Sequence, residues 1–242
     1  MDNHMEPLLG IISGTIPLHG NEIFKNLTER ELETEFGKAL VYLSDTIVFI
    51  PRHGKDSRHH ILPHLINHQA NLKALKDLGI KEVMGVNSTG SLKKKLRPGI
   101  IVIPDDYLVL SGTPTAIHGK AVHITPILSH DVRKRWIDAA RDCGINVIDG
   151  GVYWQTTGPR FETKAEIRMM SRFADLVGMT MASEAVIAQE LGLDYAALCS
   201  VVNYGHGLVE RELTLEEILQ NARRNTDTIM KIVTRYIERR KG

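Results

Sequence analysis

Glu82-Val83-Met84-Gly85-Val86, followed at once by Asn87-Ser88-Thr89-Gly90-Ser91, is a short apolar run that breaks into amide and hydroxyl side chains. A run of this length bounded by small polar residues reads as a buried strand and then a turn. Just upstream, Leu65, Leu72, Leu75 and Leu78 fall on one helical face, with Pro63 marking the first turn. Similar apolar runs recur at Leu8 to Ile12, Thr46 to Ile50, Ile100 to Ile103, Val147 to Trp154, Leu176 to Met179 and Ala196 to Val202. Helical faces lie between several of them, through Val132, Trp136, Ala139 and Ala140 and through Ala185, Ile187, Ala188 and Leu191. Strands alternating with helices predict an α/β fold, a central mixed, mostly parallel twisted sheet flanked by helices. Residues 1–242 read as a single domain, since no linker rich in Pro, Gly or Ser interrupts them. A last helix is announced by Thr214 with Glu217 three positions on, a capping box, and runs through Ile218, Ala222, Ile229, Ile232 and Tyr236 to a basic end that suits its dipole.

The 242 residues are 43% apolar and 24% charged, a globular balance with no apolar run long enough to span a bilayer. Thirty basic and 29 acidic side chains leave a net charge of +1, so no global field draws nucleic acid or an anionic membrane. An anionic ligand has to be met locally. Cys143 and Cys199 sit in apolar contexts and the N-terminus lacks a signal-peptide pattern, which together point to a reducing cytoplasm.

Ligands of open α/β sheets gather where strands end, and the unusual clusters of this chain fall at such places. Ile12-Ser13-Gly14-Thr15 is a strand end with a small turn whose N–H groups and hydroxyls suit an oxyanion or simply close the turn. In Pro51-Arg52-His53-Gly54 an arginine fork suits a phosphate, and a surface salt bridge is the plainer reading. Asn87 to Ser91 and Asn203-Tyr204-Gly205-His206-Gly207 follow two further strands. In Thr157-Gly158-Pro159-Arg160-Phe161-Glu162-Thr163 an aromatic face adjoins an acceptor-only carboxylate. Phe161 can stack on a heterocycle while Glu162 accepts from a ring N–H, which a 6-oxopurine offers at N1 and adenine does not. Thr163 with Glu166 is the capping box of the helix that follows.

His59, His60, His64 and His68 form a tempting run, and His pairs four apart can bind zinc. Pro63 places His59 and His60 in the loop before the helix, and no acidic or thiol ligand is adjacent, so no metal is expected.

Taken together, Gly10 to Thr15, Arg52-His53-Gly54, Gln69-Ala70-Asn71, Asn87 to Leu92, Pro98-Gly99, Thr157 to Thr163, Gly178-Met179-Thr180 and Asn203 resemble the trimeric nucleoside phosphorylases, which include the purine nucleoside and 5′-methylthioadenosine phosphorylases. The resemblance implies transfer of the ribosyl group of a purine nucleoside to orthophosphate, with phosphate as co-substrate and no other cofactor. It implies a phosphate site of Thr15, Arg52, His53, Ser88 and Thr180, with Asn87 beside it and Met179 under the ribose. Phe161, Glu162 and Asn203 would hold the base, Asn203 acting on the leaving purine at N7. Departures are Ser183, where many relatives carry proline, and about two extra residues in Lys55 to His60 that leave open which histidine of this loop acts.

Family members acting on 6-aminopurines resemble one another in carrying aspartate in place of Asn203 and serine in place of Glu162. This chain has the 6-oxopurine pair, and leaving a buried acceptor opposed to adenine N1 can yield discrimination of about 10⁴-fold. Where standard purine nucleoside phosphorylases place a histidine at the 5′ end, the matching positions are Leu215 and Ile218, apolar and suited to a methylthio group. The combination resembles the 5′-methylthioinosine phosphorylases, with His123 matching a residue that closes the 5′ pocket from the neighbouring subunit of a homotrimer. Rival readings are a general inosine/guanosine phosphorylase, a 5′-methylthioadenosine phosphorylase, a water-using nucleosidase, and a nucleoside-binding protein with a decayed site.

Overall fold

The computed structural model describes residues 9–14, 22–55, 60–210 and 214–240. In chain order its elements are β1 (Leu9–Ser13), β2 (Thr28–Thr34), β3 (Gly37–Leu43), β4 (Ile47–Pro51), α1 (His68–Asp77), β5 (Glu82–Ser91), β6 (Ile101–Ile103), β7 (Asp106–Val109), α2 (His130–Asp142), β8 (Ile148–Asp149), β9 (Val152–Gln155), α3 (Lys164–Met170), β10 (Leu176–Gly178), α4 (Met181–Glu190), β11 (Asp194–Tyr204) and α5 (Leu215–Arg240). All eleven strands belong to one mixed sheet, as the alternation of runs and helical faces predicts.

The strands alternate inward-facing residues between two cores. Leu9, Ile11, Met84, Val86, Ala196 and Leu198 pack with α2 and α5, where Trp136 and Tyr236 stack with centroids 3.9 Å apart. Ile12, Val83, Tyr195, Ala197 and Cys199 pack on the other face with α1 and α4. A smaller third cluster, around Trp154, Ile167 and Met170, lies under α3. Covering both faces is what turns the strands into near-continuous apolar runs.

One expectation fails in an instructive way. Asn87 to Ser91 is not a turn: β5 continues through it, because β11 runs parallel alongside from Asp194↔Glu82 to Tyr204↔Ser91. For the same reason Asn203 and Tyr204 lie within β11 rather than after it. On its other edge β5 has two successive neighbours. β1 pairs with it as far as Ser13↔Val86, and β10 joins antiparallel at Val177↔Gly90. The edge between those pairings, at residues 87–89, is a fork in the sheet, a place where a ligand can reach strand backbone.

Other differences are local. The predicted run Val147 to Trp154 is two strands, β8 and β9, parted by Gly150 and Gly151 at φ of 97° and 117°, where Gly151 N–H donates to Asp105 Oδ1 at 2.8 Å. Pro63 opens only a short 3₁₀ turn, Pro63–Leu65. α1 starts at His68 because Asn67 Oδ1 accepts the Ala70 N–H at 2.9 Å, which leaves Leu65 63% exposed and off the helical face. The β2–β3 hairpin and β7 carry too little apolar signal to be read from sequence, the former being largely charged and exposed along β2. The capping box at α3 forms as expected: Thr163 Oγ1 accepts from Glu166 N, and Glu166 Oε2 accepts from Thr163 N at 2.7 Å. At α5, Thr214 Oγ1 accepts from Glu217 N.

Candidate active site

Above the fork lies a cavity of about 260 Å³ bounded by Arg52, His53, Ser88, Phe161, Glu162, Met179, Thr180, Asn203, Leu215 and Ile218, among others. Ten residues singled out in the sequence are thus brought together from six separate stretches of chain. Thr15 lies outside the described residues. His123 is exposed and does not border the cavity within one chain.

Arg52, just past β4, is 2% exposed and held from behind. Its Nε and Nη2 donate to the two carboxylate oxygens of Glu184, which is fully buried in the first turn of α4, and Nη1 donates to Val86 O at 3.1 Å. Nη2 also reaches Ile12 O at 3.4 Å. One Nη1 hydrogen is left, and Nη1 faces the Gly14 turn, 3.0 Å from where a side chain at Gly14 would begin. Such a side chain would also stand 2.7 Å from His53 Cδ2, so glycine at that turn keeps the space over Arg52 and His53 open. Tyr195 Oη donates to Glu184 Oε2 at 2.7 Å, and no side chain fits at Gly85 because that phenol occupies its place.

His53 Nδ1 donates to Ile61 O at 2.7 Å, so Nε2 carries the lone pair. Burial, with the Arg52 charge beside it, lowers its pKa to about 4, and the imidazole is neutral at pH 7. His60 stacks on it, with centroids 4.8 Å apart. His68, buried beneath, is likewise lowered to about 4 by desolvation, against the pull of Glu184. Among the described residues no group of three or more His, Cys, Asp or Glu is placed to hold a metal.

Thr180 caps α4 without using its side chain for the cap. Its Oγ1 accepts from Asn87 Nδ2 at 3.0 Å, which leaves the hydroxyl hydrogen to donate elsewhere. Asn87 therefore stands behind Thr180 rather than on the cavity wall. Ser88 Oγ is buried with no protein partner. The backbone N–H groups at the α4 terminus are mostly taken: Thr180 N and Met181 N donate to Tyr153 Oη, and Ser183 N donates to Gln155 Oε1. Ser183, in place of the proline of many relatives, also accepts from Gln155 Nε2 at 2.7 Å, a second bond between β9 and α4.

At the other end of the cavity Glu162 is 8% exposed and Phe161 is 46% exposed. Thr156 Oγ1 donates to Glu162 Oε1 at 2.6 Å. Asn203 emerges from a bulge at Val202, where β11 slips against β5. α5 holds that bulge, with Asn221 Nδ2 donating to Val202 O at 2.7 Å and Asn225 Nδ2 to Ser200 Oγ at 2.6 Å. Asn203 Nδ2 donates to Tyr204 O at 2.8 Å, so its second amide hydrogen and its oxygen remain for a ligand. Met179 fills the space at Gly158, where a side chain would come within 2.6 Å of its Sδ. Leu215, Ile218 and Leu219, from the first turns of α5, make an apolar third wall.

The sequence reading missed Glu184, Tyr195, Tyr153, Gln155 and Thr156. A signal for the first existed: an acid within Met181-Ala182-Ser183-Glu184-Ala185, on a helix apolar all round, has to be buried and therefore paired.

A cavity at a sheet fork that joins an arginine and free hydroxyls to a carboxylate and an amide beside an exposed aromatic ring is the construction of an enzyme handling an anion and a heterocycle together. The chain belongs to the phosphorylase superfamily, whose family model matches residues 8–238, and is an enzyme of the pentosyltransferase class. It is 40% identical over 96% of its length to a probable 6-oxopurine nucleoside phosphorylase of Archaeoglobus fulgidus, covering 96% of that protein. It is 36% identical to a probable S-methyl-5′-thioinosine phosphorylase of Methanocaldococcus jannaschii, over 95% of this chain and 92% of the relative. Among solved structures, methylthioadenosine phosphorylase from Schistosoma mansoni in complex with adenine superposes with a TM-score of 0.85 at 26% identity, over 96% of this chain and 91% of that one.

Proposed function

We propose that the enzyme carries out phosphorolysis of 6-oxopurine nucleosides, 5′-methylthioinosine foremost, to the free base and 5-methylthioribose 1-phosphate, as a cytoplasmic homotrimer with orthophosphate as co-substrate and no cofactor. The observation that carries this reading is the single cavity that joins Arg52, Ser88 and Thr180, Glu162 with Asn203, and the apolar Leu215 and Ile218. Phosphate would lie over the fork, receiving hydrogen bonds from Arg52 Nη1, Thr180 and Ser88. His53 Nε2, a neutral acceptor, suits the hydroxyl of a monoanionic phosphate. No helix of the described residues is long and apolar enough to cross a membrane, and both cysteines are free thiols.

In this reading the glycosidic bond loosens toward an oxocarbenium-like ribose, and phosphate attacks C1′ from below while the base leaves above. The purine gathers negative charge as it leaves. As the base leaves, N7 would take a proton from solvent; Asn203 Oδ1 would accept from the resulting N7–H and its free amide hydrogen would donate to O6, bonds that strengthen as the charge develops. Glu162 would accept from N1–H, and Phe161 would stack on the ring. His123 would close the 5′ pocket from a neighbouring subunit.

The test is base release from inosine, guanosine, methylthioinosine and methylthioadenosine with and without phosphate. Methylthioinosine should be handled best, and only with phosphate present. Equal turnover in phosphate-free buffer would overturn phosphorolysis. Inosine as the better substrate would leave a general 6-oxopurine nucleoside phosphorylase, the name borne by the Archaeoglobus relative.

A further inference from the structure

Glu162 ends a flexible side chain with two equivalent oxygens, and a base can be read by it only if something fixes which oxygen faces the ring. Thr156, directly after β9, does not border the cavity that holds Asn203, yet it reaches Glu162 from behind. Its hydroxyl donates to Oε1 at 2.6 Å. Its backbone is pinned as well, Thr156 N–H donating to Gly178 O at 2.9 Å. The residue before it is bracketed to α4 by the two Gln155–Ser183 bonds, so the end of β9 has little freedom to shift. With Oε1 occupied by a donor, Oε2 remains as the acceptor that Glu162 can offer to the cavity it borders with Asn203.

We propose that Thr156 is a positioning residue that sets base specificity: by holding Oε1 it presents Glu162 Oε2 to the N1–H of a 6-oxopurine and keeps the carboxylate from turning away from it. An acceptor oxygen held in that place opposes the N1 lone pair of adenine. The 6-oxo preference is then built from two residues, of which only one touches the substrate. The inference rests on the reading of Glu162 as the base acceptor.

The experiment compares kcat and KM for methylthioinosine and methylthioadenosine in the native enzyme, Thr156→Val, Thr156→Ser, Glu162→Gln and the Thr156→Val/Glu162→Gln double variant. Thr156→Val keeps the shape and removes the donor, and should lower kcat/KM for methylthioinosine roughly 10- to 100-fold while methylthioadenosine falls much less. Thr156→Ser should restore most of the loss, and Thr156→Val should add little in the Glu162→Gln background. Equal losses on both substrates, or no recovery with serine, overturn the inference, because a purely structural role would act on both alike. If Glu162→Gln abolishes the base preference and Thr156→Val leaves it intact, only the role of Thr156 fails. If Glu162→Gln itself leaves the preference unchanged, the base-site reading fails and Thr156 with it. Should Thr156→Val not fold, Thr156→Ala removes the same hydroxyl and is read the same way.

Discussion

At the Arg52 end of the cavity the polar groups other than Ser88 are tied from behind, Arg52 by Glu184, Glu184 by Tyr195 and Thr180 by Asn87, and Arg52 is only 2% exposed. At the Leu215 end the first turn of α5 presents an apolar side chain that is 63% exposed. The contrast follows from the forces each end uses. A charge in a low-dielectric setting is costly unless its partners are fixed, and once they are fixed it is a rigid, directional binder. Apolar contact has no direction, so a loosely held leucine can serve. Specificity for the anion is therefore expected to be brittle to mutation, and specificity for the 5′ group to be easily retuned.

The largest effect should come from breaking the tied end. Glu184→Ala leaves the Arg52 guanidinium buried without its counter-charge, and removing one partner of such a pair typically costs about 3–5 kcal/mol. Chemical denaturation should show a loss of that order, with a raised KM for phosphate in whatever fraction stays folded. A loss under about 1 kcal/mol would mean that water or another acceptor takes over the role of Glu184.

A smaller change is expected at the loose end. Leu215→His gives a 5′-hydroxyl a hydrogen-bonding partner and removes an apolar contact worth about 1–3 kcal/mol, so the methylthioinosine-to-inosine ratio of kcat/KM should fall by roughly 10- to 200-fold with little change in stability. An unchanged ratio would place the 5′ group elsewhere.

The smallest effect is a graded dependence on pH that sharpens the comparison, since it too belongs only to the tied end. His53 and His68 are held near 4, below the ordinary 6.5, so the unfolded chain binds more protons in that window. Their contribution to stability is complete above about pH 6.5 and is lost as pH falls toward 4. Urea midpoints should drop from pH 7 to pH 6, and His68→Asn should flatten that slope. A slope that His68→Asn leaves unaltered would assign the dependence to other groups.

Much of the site was legible because its signals are local. Arg52 after a strand and Phe161-Glu162 before a capped helix announce their chemistry by residue type and spacing, while Leu215 and Ile218 at the start of α5 were singled out only through the family resemblance. The fork was not legible. Asn87 to Ser91 carries the amides, hydroxyls and glycine of a turn, and it is strand only because β11, more than a hundred residues later, pairs with it from Cys199↔Asn87 onward. The partner of Glu184 was equally hidden, since it stands 132 residues away and no local pattern says that the two will meet.

By itself the sequence determined the alternation of strands and helices, the caps at Thr163 and Thr214, and the residue types that can meet an anion and a purine. These follow from periodicity, capping and side-chain chemistry, which act over a few residues. Tertiary structure decided which of those residues face the cavity and which stand behind it, and that Arg52 arrives already neutralised by Glu184. Pairing in a sheet and pairing of buried charges are settled between chain segments far apart, by what remains unsatisfied when the core closes.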